Sequence, residues 1–504
     1  MQRNVGILLV SVFLVATCGL VYELVAGALA SYLLGDSVLQ FSTIIGTYLF
    51  AMGVGSYLAR FVERGLLTTF VQVQILVGLL GGCSAATLFL VFSYGSGFRF
   101  VLYGLVFAIG LLVGLEIPLL LRILKEHLSF RDLVSQVLAL DYVGALAASV
   151  LFPLFLVPYL GLVRTAFFFG MVNAGVAFLF ALKFQKEGRW TGLLIEAGAV
   201  FLLLFCGFVF TDRITKFAEE ALYPAPVVLS KQTPYQKLAI TRDIRETRLY
   251  LNGNLQFSTF DEYRYHEALV VPALLSHSNP ESVLVLGGGD GLAVEVLLRD
   301  PRVRKIKLVE LDAAMIEIFR DHPEISKLNK QALRSPKVEV VIGDAFTWLE
   351  ETSETFDLAL VDFPDPSNYS VGKLYTAHFY RRLASHLNKH GRFVVQCSSP
   401  LAARRSYWSV VKTIEFAGLK AKPYHVYVPS FGEWGFTLAG REMPEISGEL
   451  PFKTRFLNPQ ELARMQEFPG DMSRVEAQVN RLFDQVLVRY FQQDWSRYRG
   501  VEVN

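Results

Sequence analysis

Residues 283–300 read VLVLGGGDGLAVEVLLRD. Four apolar residues, Val283 to Leu286, rise into Gly287, Gly288 and Gly289, and a helical pattern opens at Gly291. A strand that breaks into glycine and then helix reads as the first turn of a nucleotide-binding fold, because glycine lets the backbone approach a ligand and enter a helix sharply. Alone the signal is weak, since plain turns share it. Its odd feature is Asp290, an anion at the tip of a turn whose ligands often carry phosphate or carboxylate.

Downstream, strand-like and helical runs alternate. SVLVLGG, KIKLVELD, KVEVVIGD, FDLALVDF, RFVVQCS, AKPYHVYV and WGFTLAG are interleaved with AAMIEIFRDH, AFTWLEE, AHFYRRLASHL and SYWSVVKTIEFAG. That rhythm predicts a doubly wound, mostly parallel sheet, an α/β Rossmann-like domain of the class I methyltransferase type, with ligands beyond the carboxyl ends of the strands. Informative side chains should therefore end strands. Glu310 ends the second, about 20 residues after the glycine turn, where a carboxylate suits a ribose's two hydroxyls; the plain alternative is a solvated strand end. Asp344 ends the third, as acceptor for an adenine amino group, as N-cap of AFTWLEE, or as both. Asp362 and Asp365 end the fourth, either to hold and deprotonate a cation or as Asp-Pro turn punctuation.

Upstream, VVLSK, YQKLAITR and TRLYLNGNLQF predict a small antiparallel β-region over 225–263, with Asn252-Gly253 as its hairpin turn. The Rossmann-like domain then spans 264–457. The tail, 458–504, carries Val475, Val479, Leu482 and Val486 at helical spacing, which predicts a helical extension packed on the domain or on a neighbouring subunit of a homo-oligomer.

The first 211 residues are different. The chain of 504 residues is 52% hydrophobic and 19% charged, too apolar for a wholly soluble protein of this size, and its net charge of +2 implies no nucleic-acid partner. Segments 5–30, 38–59, 70–93, 98–121, 134–157, 161–182 and 192–210 each approach the ~20 apolar residues that cross a bilayer. Seven transmembrane helices are thus expected, a multi-pass domain of a bacterial inner membrane. One set of loops holds Arg3, Arg60, Arg64, Arg122, Lys125, Arg131, Lys183, Lys186 and Arg189; the other holds Arg99 and Arg164, which places the N-terminus in the cytoplasm. Seven spans then put the soluble half outside; a re-entrant 134–157 would bring it back. Glu23, Glu116, Asp141 and Glu196 interrupt the spans, either as a path for cations or as acids bound to neighbouring helices. Gly53, Gly55, Gly81 and Gly82 read as close helix packing. Cys397 is the one cysteine of the soluble half, so cysteine content does not fix the redox compartment.

Asp290, Asp362 and Asp365 would ring one pocket beside an adenosine site. Such a cluster repels the carboxylate of ordinary S-adenosylmethionine and attracts a donor whose side arm ends in an ammonium. The ordered motifs Tyr235-Gln236, Tyr265-His266-Glu267, GGGDG at 287–291, Glu310, Asp344-Ala345, DFPDP, LYTAHFY and WGFTLAG resemble the polyamine aminopropyltransferases, of which spermidine synthase is the type. The resemblance implies that Gln236, Glu310, Asp344 and Ala345 contact methylthioadenosine, with Gly287 and Gly289 giving backbone room beside it. It further implies that Asp290 holds the aminopropyl ammonium, that His266 and Tyr265 face the polyamine, that Asp365 anchors the amine and that Asp362 takes its proton. The implied reaction joins the aminopropyl group of decarboxylated S-adenosylmethionine to putrescine, giving spermidine, with no metal and no other cofactor.

Two departures fall on the amine side. SNYSVGKLYT stands where the family has a Gly-Pro loop, and VPSFGEWGF offers Phe431 where it has a tyrosine. Two rival readings remain at this level: a methyltransferase on the same fold, and a polyamine transporter or sensor whose soluble domain only binds.

Overall fold

The computed structural model describes residues 2–34, 37–94, 97–125, 130–183, 189–446 and 449–498. Lys186 and Asn504 lie outside the described residues. The chain divides into two compact units, Met1–Thr241 and Arg242–Asn504.

The first unit is built from α1 (Gln2–Leu34), α2 (Ser37–Leu58), α3 (Leu66–Tyr94), α4 (Phe98–Leu124), α5 (Phe130–Leu151), α6 (Val157–Lys183), α7 (Arg189–Val209) and α8 (Thr211–Leu222). Six helical stretches among the described residues are long and apolar enough to cross a membrane. The seven expected segments become six because the fifth and sixth run together. A π-helical turn, Phe152–Leu156, joins α5 to α6, and the stretch Arg131–Lys183 is 53 residues long. At ~1.5 Å per residue it is about 80 Å long, two crossings' worth rather than one. It is broken at Gly161, whose φ of +73° and ψ of 173° leave the helical region.

Small residues set the helix contacts. A Cβ on Gly55 would lie 2.0 Å from Leu111 O, and one on Gly114 would lie 2.2 Å from Met52 O, so α2 and α4 meet backbone to backbone. Gly81 faces the Tyr22 ring and Gly82 faces Leu204, whereas Gly53 has nothing within 4 Å and makes no such contact. Glu116 is bound to neighbouring helices. Tyr22 donates to Asn173 Oδ1 (3.3 Å), Asn173 Nδ2 to Gln74 Oε1 (3.0 Å) and Gln74 Nε2 to Glu116 Oε1 (2.6 Å), a buried relay through α1, α6, α3 and α4. Glu23 is buried as well, while Glu196 is exposed on α7. The expected span ends near 210, and α8 follows it. That helix is held by Arg164–Asp212 (2.7 Å) and by Tyr94, which stacks on Phe217 and donates to its carbonyl (2.9 Å). An antiparallel hairpin, β1 (Val227–Gln232) and β2 (Lys237–Arg242), ends the unit.

The second unit opens with a second hairpin, β3 (Thr247–Leu251) and β4 (Asn254–Ser258). Asn252 and Gly253 form its turn with φ of +50° and +77°, the pair of positive angles that a two-residue turn needs. Then come α9 (Glu262–Leu275), β5 (Ser282–Gly287), α10 (Leu292–Leu298), β6 (Lys305–Glu310), α11 (Ala313–Asp321), β7 (Val338–Ile342), α12 (Ala345–Glu351) and β8 (Phe356–Asp362). These are followed by α13 (Tyr369–Gly372), α14 (Ala377–Ser385), β9 (Leu387–Gln396), α15 (Arg404–Phe416), β10 (Lys420–Val428), β11 (Gly432–Gly440), α16 (Pro459–Arg464) and α17 (Val486–Tyr498).

All seven predicted strands join one sheet, ordered β10-β11-β9-β8-β5-β6-β7. The five from β7 to β9 are parallel, and β11 is antiparallel to both its neighbours. Strand order reverses at β5, the switch point where such sheets open a crevice. Register does the rest. Gly287 pairs with Asp362 and Leu286 with Val309, so the glycine turn comes level with Asp362 on one side and Glu310 on the other.

The tail corrects one expectation. Residues 475–485 form no helix; they cross α15 as irregular chain, and Leu482 is exposed. Side chains of α15 satisfy that backbone: Trp408 Nε1 donates to Met472 O (3.0 Å), Ser409 Oγ to Gln478 O (2.7 Å) and Lys412 Nζ to Ala477 O (2.7 Å). Valines three and four apart signal a buried stripe, and here an extended segment buries alternate residues instead.

Candidate active site

The glycines of the turn are dictated by the carboxylates around them. Gly287 has φ of +79°, and a Cβ there would stand 2.3 Å from Asp362 O. A Cβ on Gly288 would meet Asp362 Oδ2 at 3.0 Å, and one on Gly289 would meet Glu310 Oε2 at 2.7 Å. With that space clear, Gly289 N donates to Glu310 Oε2 (3.1 Å) and Asp312 N to Glu310 Oε1 (2.9 Å). Glu310 is therefore buried and backbone-held, and the solvated strand end is set aside. Burial pushes its carboxyl up to about 7 against those two N–H groups. Asp290 Oδ1 accepts from Leu292 N (2.9 Å), and Asn329 Nδ2 grips the Asp290 carbonyl (2.7 Å).

Helix α9 supplies the opposite wall. Tyr265 donates to Asp362 Oδ1 at 2.6 Å. His266 Nδ1 lies 2.9 Å from both the carbonyl and the carboxylate of Glu262. Both partners are acceptors, so Nδ1 carries the hydrogen. Burial pulls the imidazole down, but Glu262 and then Asp290 and Asp362 outweigh it and hold His266 up at about 9. Glu267, the third residue of the motif, faces elsewhere. Its carboxylate accepts from the backbone N–H of Arg455, Phe456 and Leu457 and ties that segment to α9.

Asp290 and Asp362 both act on His266, Asp362 acts on Asp290, and Asp362 and Asp365 both act on Tyr265. Burial raises all three: Asp290 to about 6, with His266 opposing and Asp362 adding; Asp365 to about 7, against Ser398 and Gln396; and Asp362 against His266 and Tyr265. Three desolvated acids whose charged forms are disfavoured make a receptor for cations, since an ammonium between them restores what burial removed.

Other expected residues have other partners. Asp344 ends up as the N-cap: Oδ1 accepts from Phe346 N (2.8 Å), Oδ2 pairs with Lys373 (2.6 Å), and Ala345 is buried as the first residue of α12. Gln236 belongs to the first unit, in the turn before β2, where Thr233 Oγ1 donates to its carbonyl (3.0 Å) and accepts from its N–H (3.0 Å).

Several supports had no part in the motif reading. Tyr375, within LYTAHFY, donates to Phe363 O (3.3 Å) and Pro364 O (3.1 Å) and fixes the peptide between the two aspartates. Gln396 Nε2 donates to the Tyr375 hydroxyl (2.7 Å) and also to Phe363 O. The departing loop SNYSVGKLYT forms α13 and a 3-10 turn, which Asn480 pins by donating to Gly372 O and Tyr375 O (3.1 Å each). Glu262 was legible as the carboxylate one helical turn before His266. Lys373, Asn329 and Asn480 carried no signal.

Residues 262–447 match the family model of the spermine/spermidine synthase domain. A polyamine aminopropyltransferase of Leptospira interrogans is 52% identical over 97% of this chain and 99% of its own. A protein of Ralstonia nicotianae named polyamine aminopropyltransferase 2 is 50% identical over 98% of this chain and 99% of its own. Among solved structures, spermidine synthase from Thermotoga maritima aligns with a TM-score of 0.44 and 23% identity, covering 48% of this chain and 84% of that one.

Proposed function

The chain belongs to the polyamine aminopropyltransferase family, and from that premise we propose that it transfers the aminopropyl group of decarboxylated S-adenosylmethionine to putrescine, with Asp362 as proton acceptor. The products are spermidine and methylthioadenosine. The observation that carries this reading is that Asp290 and Asp362 both act on His266 while Asp362 and Asp365 both act on Tyr265. A donor that kept its carboxylate would bring a fourth anion to these acids, whereas the decarboxylated donor brings an ammonium.

Glu310 takes the ribose hydroxyls, since each of its oxygens has a lone pair beyond the one its backbone N–H uses. Asp290 takes the aminopropyl ammonium. The acceptor amine, ordinarily protonated near pH 7, must lose a proton before it can attack. Asp362 receives that proton, and Tyr265 steadies its Oδ1. The nitrogen lone pair then attacks the methylene next to the sulfonium. A C–N bond forms, the C–S bond breaks, and its electron pair stays on sulfur as the neutral thioether. A positioned base typically contributes about 10²–10⁴-fold, and holding two cations together against their repulsion contributes the rest.

The test is steady-state assay of the purified full chain with putrescine and either donor. Methylthioadenosine should form with the decarboxylated donor and not with intact S-adenosylmethionine; methyl transfer to an amine would sink the reading. We also place the first unit in a lipid bilayer, on the length and composition of its helices. Release of the chain from membranes by alkaline carbonate would refute that placement.

A further inference from the structure

Glu262 is the first residue of α9, and no step of the reaction described above uses it. The start of that helix is fixed from outside. Asp261, just before it, accepts from Ser430 N (2.6 Å) and Ser430 Oγ (2.9 Å) in the loop between β10 and β11. One helical turn on, the Glu262 carboxylate meets His266 Nδ1 at 2.9 Å, and the Glu262 carbonyl accepts from the same N–H. The imidazole is 3% exposed and the carboxylate 23%, so the pair reaches from near the surface into the buried interior. With Nδ1 committed to Glu262, Nε2 is the nitrogen that remains for other partners.

The other titratable and charged groups that face the ring are Tyr265 on its own helix, with ring centres 5.1 Å apart, Asp290 in the glycine turn and Asp362 at the end of β8. Asp362 in turn meets Tyr265 and His266 and acts on Tyr375. A buried imidazole bound through Nδ1 to a carboxylate is held in one orientation and favoured in its charged form, the use that carboxylates have in catalytic triads. Burial pulls His266 down, yet Glu262, foremost among the charges, holds it at about 9, so it is a cation at neutral pH. That cation opposes the rise that burial causes in Asp290 and Asp362.

We propose that Glu262 is a positioning residue of the reaction: its carboxylate anchors His266 as a resident cation beside Asp290 and Asp362, and through His266 it keeps the base Asp362 ionised and ready for the amine's proton. This rests on the aminopropyl-transfer reading above. Two effects of opposite sign meet at this residue. Glu262 is itself an anion that acts on Asp290, so its charge alone makes ionisation of the acids harder. Removing that charge would then move the acid limb of kcat/KM to lower pH. Acting through His266 it does the reverse: the imidazole gives up its proton, the acids lose their cation, and the limb moves to higher pH.

The experiment follows kcat/KM for putrescine against pH, using the full chain in detergent with saturating decarboxylated S-adenosylmethionine. Glu262→Gln keeps size and a hydrogen-bond acceptor but no charge. Its acid limb should move up by about one pH unit, about tenfold in rate on the acid side, with the plateau above it kept within about twofold. Glu262→Asp keeps the charge at the helix start but draws it back from Nδ1, so it should move the limb the same way by less; it carries the test if the Gln variant does not fold. In a His266→Gln background, Glu262→Gln should raise the limb no further. An unmoved or lowered limb in the protein that keeps His266, or an equal upward shift without His266, would overturn the proposal and leave aminopropyl transfer standing. Failure of the parent protein to turn over any diamine would remove the reaction reading, and this inference with it.

Discussion

Tyr265 and Asp362 are joined by a hydrogen bond of 2.6 Å between residues 97 apart in the chain, one in helix α9 and the other at the end of strand β8. Through it the wall that carries His266 is fastened to the carboxylate at the switch point of the sheet. The phenol donates to the charged form of Asp362 and opposes the rise that burial causes.

Asp362→Asn should lower kcat by about 10²–10⁴-fold, the usual worth of a positioned base. Its affinity for methylthioadenosine, measured by calorimetry, should stay close to that of the parent, because the proposed nucleoside contact is Glu310. Loss of nucleoside binding would show that Asp362 holds the donor rather than the proton.

Tyr265→Phe removes a donor to the charged form, so the Asp362 carboxyl should rise further. The base is then protonated over a wider range, and the acid limb of the kcat/KM profile should move to higher pH. A shift to lower pH, or none, would disconnect this pair from the proton transfer.

Binding of the amine should release protons. Asp365 stands at about 7 in the ligand-free protein, so it is partly protonated near neutrality. An ammonium beside it favours the carboxylate, and a proton leaves as the amine enters. Putrescine affinity, read with methylthioadenosine bound, should therefore rise with pH through about 7 and level off above. Calorimetry in two buffers of different ionisation enthalpy would count the protons, and uptake instead of release would contradict the assignment.

The two outer glycines of the turn should fail in different ways. Gly287→Ala puts a methyl against a backbone carbonyl and forces a side chain to positive φ, which should cost about 3 kcal/mol or more and show as a lost or much lowered thermal transition. Gly289 has no such angle, and the added methyl would push only the Glu310 carboxylate. Gly289→Ala should fold and bind methylthioadenosine at least about tenfold more weakly, one displaced charge-assisted contact.

Asn480→Ala would strip partners from Gly372 O, Tyr375 O and Leu487 N, each worth about 1–3 kcal/mol when left buried and unmet. Amide hydrogen exchange over residues 368–376 should speed up well before global unfolding. Unchanged protection there would mean that the tail does not clamp the loop.

Much of the fold was legible because it is local. Short strand-like runs alternating with helical stretches marked all seven strands of the sheet, Asn252-Gly253 marked the turn between β3 and β4, and the glycine turn marked the switch point. Residue type at a strand end pointed to Glu310, Asp290, Asp362 and Asp365, and the register of the sheet brings the glycine turn level with Glu310 and Asp362. It said less about Glu267, which sits in the same motif as Tyr265 and His266 and serves three backbone amides. The spacing of Val475, Val479 and Leu482 misled, since helical periodicity records burial every third or fourth residue and cannot tell which backbone meets it. Glu116 read as cation path or as internal partner; the relay to Gln74, Asn173 and Tyr22 needs four helices in contact to exist.

Side-chain periodicity, turn chemistry and the run of apolar residues are properties of a few adjacent positions, so the linear chain already carried the layered sheet, the helical first unit and the list of acids. Which acids come near one another depends on parallel register, which sets Gly287 level with Asp362, and on α9, whose Tyr265 reaches Asp362. Their protonation depends on burial. Burial is a sum over distant parts of the chain, and no window of sequence contains it.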